Sequence, residues 1–283
     1  MPASDYCIRT MTESEVALAI DWAAAEGWNP GWHDAQCFRA ADPDGFLVGL
    51  LGDEPIATIS VVRYGTAFGF LGLYIVKPEH RGRGHGLALW EAGIAFLGKR
   101  AIGLDGVIAQ QANYRRSGFE LAYRNVRYQG TAGPGASRDP RVAPLASFDY
   151  LAVRDYDRVC FATDRSAFLQ RWIQQPGSTA LGIRRDNSLA GYGVIRAARA
   201  GHKIGPLFAD DRDAADALFR GLVASLPSGA AFYLDVPEVN RGAVDLAERY
   251  GMTVVFETAR MYRGSAPALP LERIVGVTSF ELG

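Results

Sequence analysis

The stretch IVKPEHRGRGHGLALWEAGIAFL, Ile75 to Leu97, begins as an apolar strand, breaks at Pro78 and ends as an apolar helix. Between strand and helix stand Arg81, Gly82, Arg83, Gly84, His85 and Gly86. Glycine weakens a helix start, so several of them at one indicate that something approaches the backbone closely there. The first turn of a helix leaves N–H groups without partners and carries partial positive charge. Glycines expose those groups, and Arg81 and Arg83 add mobile charge. The loop therefore reads as a phosphate or pyrophosphate site, with a plain basic turn as the alternative. A Walker loop is excluded, because no Gly-Lys-Ser/Thr triplet follows. The dinucleotide fingerprint is excluded as well, because Leu87 stands where its last glycine belongs.

Working outward, Thr12 and Glu15 have capping-box spacing at the start of a helix that ends at Gly27. GFLVGLL, PIATISVVRY and AFGFLGLYIV are successive strand-like runs separated by turn residues, which predicts an antiparallel meander ahead of the loop. After the loop helix come a strand at LDGVIA, a short helix at NYRRSGFE and a closing strand at LAYRNVRYQ. The segment GTAGPGASRDPRVAP, Gly130 to Pro144, is rich in small residues and reads as a linker. Beyond it the same order of elements recurs, and such a repeat governs the fold assignment. The expected organisation is a first domain over residues 1–130, a linker over 131–144 and a second domain over 145–283. The tail IVGVTSFEL reads as one further strand.

Composition bounds the function. With 283 residues, 48% apolar and 22% charged, the chain is of ordinary globular type and long enough for two cores. A net charge of -1 gives no field that would gather nucleic acid or an anionic membrane. Cys7, Cys37 and Cys160 are odd in number and far apart, and the histidines and cysteines show no metal-ligand spacing, so no metal is expected. The N-terminal residues lack the features of a signal peptide, and no apolar run is long enough to span a bilayer. The expected location is cytoplasmic.

Arg81-x-x-Gly84-x-Gly86 after a strand, with Tyr114 four residues before Gly118-Phe119, resembles the motifs of the GNAT superfamily of acyl-CoA N-acyltransferases. The resemblance implies an α/β fold of two tandem GNAT-like domains. Each would be a mostly antiparallel sheet with a splayed central strand pair and flanking helices. It implies that the backbone of Arg81, Gly82, Arg83, Gly84, His85, Gly86 and Leu87 holds the pyrophosphate of acetyl-CoA. Ile75 and Val76 would pair with the pantetheine arm, and Asn113 would approach it. Tyr114 would protonate the departing thiolate. Val107 and Gln110 depart from the Asn and Ala often found in the family ahead of that tyrosine.

The loop Trp28, Asn29, Trp32, His33 lies where the family covers its acceptor, and Tyr74 stands on the strand before the glycine loop. These are the candidate acceptor contacts, each weighed against packing or a surface role. Phe68, Phe70 and Tyr123 are expected in the core. In the second half, Asp210, Asp211 and Asp213 stand where the phosphate loop should be, and Ala247 stands at the tyrosine slot. Carboxylates suit a helix cap and repel pyrophosphate, so this half is expected to be silent. The expected activity is transfer of an acetyl group from acetyl-CoA to the amine of an unidentified small-molecule acceptor by direct attack; the alternative is a CoA-binding sensor or scaffold without catalysis.

Overall fold

The computed structural model describes residues 5–133, 139–161 and 163–283; residues 134–138 of the expected linker and the first four residues lie outside these. The first half runs β1 (Tyr6–Thr10), α1 (Glu13–Ala25), α2 (Asp34–Ala41), β2 (Phe46–Leu51), β3 (Glu54–Tyr64), β4 (Phe68–Val76), α3 (His85–Leu97), β5 (Ala101–Val107), α4 (Gln111–Arg116) and β6 (Glu120–Thr131). The second runs β7 (Val142–Pro144), α5 (Tyr150–Phe161), α6 (Ser166–Trp172), β8 (Ser178–Arg185), β9 (Ser188–Ala197), β10 (His202–Ala209), α7 (Arg212–Val223), β11 (Ala231–Pro237), α8 (Arg241–Arg249), β12 (Thr253–Arg263) and β13 (Ile274–Gly276). The Thr12 capping box forms: Glu15 N donates to Thr12 Oγ1 and Thr12 N to Glu15 Oε2.

The described strands join in one continuous sheet, in the order β1-β2-β3-β4-β5-β12-β6-β11-β10-β9-β8-β7, with β13 on β10. The two expected sheets are thus fused by an exchange. The last long strand of the second half, β12, lies between β5 and β6, while β6 lies between β12 and β11. Each half is completed by a strand from the other. The tail is shorter as a strand than its sequence suggests, since only Ile274–Gly276 pairs and the chain then turns.

Alternation along the strands sorts the core into two faces. Val62, Phe70, Tyr192 and Phe208 point to the face covered by α1, α2, α5 and α6, where Phe38 and Trp172 stack at 6.0 Å across the halves. Ile59, Val61, Leu71 and Leu104 meet α3 on the other face, and Leu181, Ile183 and Leu207 meet α7. Phe68, Phe70 and Tyr123 are buried. No helix among the described residues is long and apolar enough to cross a membrane.

Three buried ion pairs also join the halves: Arg196–Asp34 at 2.8 Å, Arg127–Asp235 at 2.6 Å and Arg260–Asp105 at 2.6 Å. Burial alone would raise the Asp34 pKa, but the charge and hydrogen bonds of Arg196 outweigh it and hold the carboxyl below its ordinary value. A depressed acid contributes stability above its unfolded pKa, about 3.9 for Asp, and loses it as pH falls through the folded value. Breaking such a pair leaves a buried charge uncompensated, which costs about 3–5 kcal/mol. Asp34→Ala is therefore expected to lower the unfolding free energy from urea titration by that amount, with m unchanged. A loss under about 1 kcal/mol would mean that Arg196 finds water instead.

Candidate active site

The site begins where two parallel strands part. β4 and β5 pair only from Phe68–Ala101 to Leu71–Leu104, and beyond that point they diverge. A bulge bends β4 just past the fork: Thr58 pairs with Ile75 and Ser60 with Gly72, leaving one extra residue on β4. Leu73 takes a φ of +46°, a strained conformation for a branched side chain, and the buried Thr58 hydroxyl donates to its carbonyl at 2.9 Å. Lys77 N donates to Ile56 O at 3.0 Å. By the alternation of an antiparallel ladder, Val76 then presents its N–H and C=O to the open fork rather than to β3.

A cavity of about 390 Å³ occupies the fork. Its walls are Leu71 to Val76 of β4, Leu104 to Val107 of β5, Gln110 and Tyr114, together with Glu26, Trp28 and Arg81. The second half supplies the remaining wall, with Phe256 and Thr258 from the exchanged strand and Phe280 and Glu281 from the tail. Tyr114 stacks on Trp90 at 5.6 Å and lies over Gly106, where a Cβ would come within 2.3 Å of its ring. Burial, then the neighbouring Tyr74, pushes its pKa up to about 12. Its hydroxyl makes no hydrogen bond to another described residue. Burial likewise pushes Tyr74 to about 12.

Above the fork, Gly82 and Gly84 have φ of +75° and +85°, and a Cβ on either would meet nothing within 4 Å. Gly84 is the N-cap of α3, and the first helical bond runs from Ala88 N to Gly84 O at 3.1 Å. The amides of Gly82 to Leu87 find no partner among the described residues, so their N–H groups are free to receive an anion. Gly86 serves packing, since a Cβ there would lie 2.7 Å from Tyr74 Oη. His85 turns its ring inward against Tyr6, 4.6 Å between centroids, and burial lowers its pKa, with the charges of His80 and Arg83 adding to the effect. Only its backbone faces the loop's opening.

The two arginines differ. Arg81 donates through Nε to Val76 O at 2.8 Å and pairs with Glu26 at 2.6 Å, half-exposed. An exposed pair is worth about 0–1 kcal/mol, so a phosphate could readily displace Glu26. Arg83 is exposed and makes no ion pair among the described residues.

Of the predicted acceptor residues, Trp28 and Tyr74 line the cavity with Ile75 and Val76. Asn29, Trp32 and His33 lie outside it. Their loop docks onto the β9–β10 turn instead: Asn29 exchanges hydrogen bonds with Ala200, Trp32 N donates to Ala197 O at 3.3 Å, and Arg199 lies 4.1 Å over the Trp32 ring. His33 precedes α2 on an outer groove beside Thr12 and Gln36. Asn113 also lies outside the cavity, on an exposed face of α4, bonded to Gln110 and Arg116. Sequence reasoning missed the bulge and the tail. Gly72 inside an apolar strand was their signal, because such a glycine marks a close backbone approach. A Cβ on Gly72 would lie 2.1 Å from Glu281 O.

The second half has its own fork, and the chain fills it. β10 and β11 pair from His202–Phe232 to Ile204–Leu234, after which β13 lies against β10 and Val277 N donates to Asp235 O at 2.9 Å. Asn240 holds this tail, donating to the carbonyls of Leu271, Glu272 and Ile274 at 2.9–3.2 Å. Asp211 caps α7 through Ala214 N at 3.0 Å, Asp210 pairs with Arg273, and Asp213 with Arg141. Ala247 is wholly buried. Elsewhere, Glu54, Glu79 and His80 bring ligand atoms within 4.8 Å of one another at the surface, but Lys77 already pairs with Glu54 at 2.6 Å.

Comparison with known proteins agrees with this geometry. A model of the acetyltransferase (GNAT) family matches residues 14–119, and a model of an acetyltransferase (GNAT) domain matches residues 153–276. A holothin acyltransferase from Pseudoalteromonas sp. (strain SANK 73390) is 32% identical over 269 residues, covering 95% of this chain and 92% of that protein. Among solved structures, a putative acetyltransferase from Pyrococcus horikoshii superposes with a TM-score of 0.84 at 23% identity, covering 100% of this chain and 98% of that one. A tandem GNAT protein from the clavulanic acid biosynthesis pathway gives 0.63 at 12% identity, covering 92% and 99%. GNAT proteins use acyl-CoA, and the chain belongs to the GNAT acyltransferase family as a tandem of two such domains.

Proposed function

We propose that the first half, residues 1–130, transfers an acetyl group from acetyl-CoA to the amine of a small molecule, while residues 145–283 wall the acceptor side. The observation that carries this reading is the fork: an unpaired strand edge, a partly buried phenol beside it and unpartnered helix amides above it. The pyrophosphate lies on the amides of Gly82 to Leu87, with Arg83 as counter-charge. Pantetheine runs along β4 and bonds its open edge as an added strand would. The Val76 amide polarises the thioester carbonyl, the uncharged amine attacks, and Tyr114 protonates the departing sulfur. The cavity volume favours a compact acceptor.

The test is release of free thiol from acetyl-CoA across amines ranging from aryl amines to amino sugars, polyamines and peptides. Binding of CoA without turnover of any of them would favour a sensor. Gly82→Asp is expected to weaken acetyl-CoA at least tenfold by calorimetry. It sets a carboxylate among the anion-binding amides, at a backbone strain of about 1–2 kcal/mol that leaves the fold intact. Wild-type affinity in that variant would remove the pyrophosphate from this loop.

A further inference from the structure

We infer that Glu281, in the tail of the second half, is the base that receives the acceptor's proton; this rests on the acetyl-transfer reading above. Glu281 is 2% exposed, lines the fork, and neither of its carboxylate oxygens has a hydrogen-bond partner among the described residues. Buried carboxylates are normally satisfied, and an exception needs a reason. Asp34, Asp105, Asp157 and Asp235 are all buried, and each has its arginine. Arg127 and Lys203 feel the charge of Glu281, but neither bonds to it. Arg127 donates to Asp235 and to Trp28 O, and Lys203 Nζ lies 3.7 Å from Asp235. Both Glu281 oxygens are buried, and their lone pairs are left unclaimed by any donor among the described residues.

The position suits the chemistry. The Glu281 backbone abuts Gly72, the residue after the last β4–β5 pair, so it sits where the strands part. The tail is pinned there: Leu282 N donates to Ser279 Oγ and Tyr64 Oη to Leu282 O, both at 3.1 Å. In the step, the amine nitrogen bonds the thioester carbon and the C–S bond breaks. The surplus proton on nitrogen passes to Glu281, sulfur takes the proton of Tyr114, and solvent restores both groups. Trp28, Tyr74, Phe256 and Phe280, which line the same cavity, fit a primary amine on an aromatic or other apolar body.

Benzylamine is the probe. With acetyl-CoA, Glu281→Gln is expected to lower kcat/KM for benzylamine about 10²-fold, at unchanged acetyl-CoA affinity and unfolding temperature. Independently of turnover, calorimetry on the CoA-bound wild type should show benzylammonium binding at least about tenfold more tightly than benzyl alcohol, and Glu281→Gln should abolish that preference. Wild-type kcat/KM in the variant, or no preference for the amine in the wild type, would overturn the assignment. Failure of the acetyl-CoA reading itself is distinguished by the wild type not binding acetyl-CoA.

Discussion

Replacing Tyr114 by phenylalanine is expected to lower kcat by about 10²- to 10³-fold with little change in acetyl-CoA affinity. The ring keeps its stack on Trp90 and its place over Gly106, so the variant removes the hydroxyl alone. A phenol held at about 12 is protonated throughout the neutral range and is always ready to donate. An ordinary thiolate, pKa about 8.5, would be too weak a base to take that proton, by roughly 5 kcal/mol. Burial closes the gap. In this same protein burial pushes the Cys37 and Cys160 thiols up to about 12. A thiolate leaving into the apolar fork is raised in the same way, and the two groups come close to matched. Single-turnover acetylation isolates the chemical step. An unchanged rate there would reduce Tyr114 to packing.

Much of this was legible because it was local. The glycine turn, the cap at Thr12 and the meander each have their cause within a few residues of sequence, and their backbone forms as read. The slot of Tyr114 followed from its distance to Gly118. What could not be read was set by contacts far apart in the chain. Asn29 is spent on Ala200, and Glu281 meets Gly72. The exchange of β6 and β12 has no local signature, because both remain ordinary strands whichever neighbour they pair with. Asp210, Asp211 and Asp213 were readable as a departure from a phosphate loop. That the tail fills the fork beneath them was not, since a tail strand looks alike wherever it docks.

That filled fork carries the last expectation: one acetyl-CoA per chain, and a tail the fold requires. Ile274, Val275, Val277, Phe280 and Leu282 are all buried. At about 1.5–3 kcal/mol for each side chain, they contribute up to roughly 8–15 kcal/mol, which is an upper bound. The whole stability of a domain is of that order, about 5–15 kcal/mol. A chain ending at Arg273 is therefore expected to lose cooperative unfolding and all turnover, and not to gain a second acetyl-CoA site. Asn240→Ala is the graded version. It leaves the carbonyls of Leu271, Glu272 and Ile274 without their donor and removes the cap of α8, at a cost of about 1–3 kcal/mol. The variant should fold with a lowered Tm and a calorimetric stoichiometry still near one. The first turn of α7 is capped by the Asp211 carboxylate, which accepts from Ala214 N, so an emptied second fork would set a negative charge where pyrophosphate would have to bind. Two acetyl-CoA per wild-type chain, or a truncated chain that unfolds cooperatively at the wild-type temperature, would show that the tail is neither plug nor keystone.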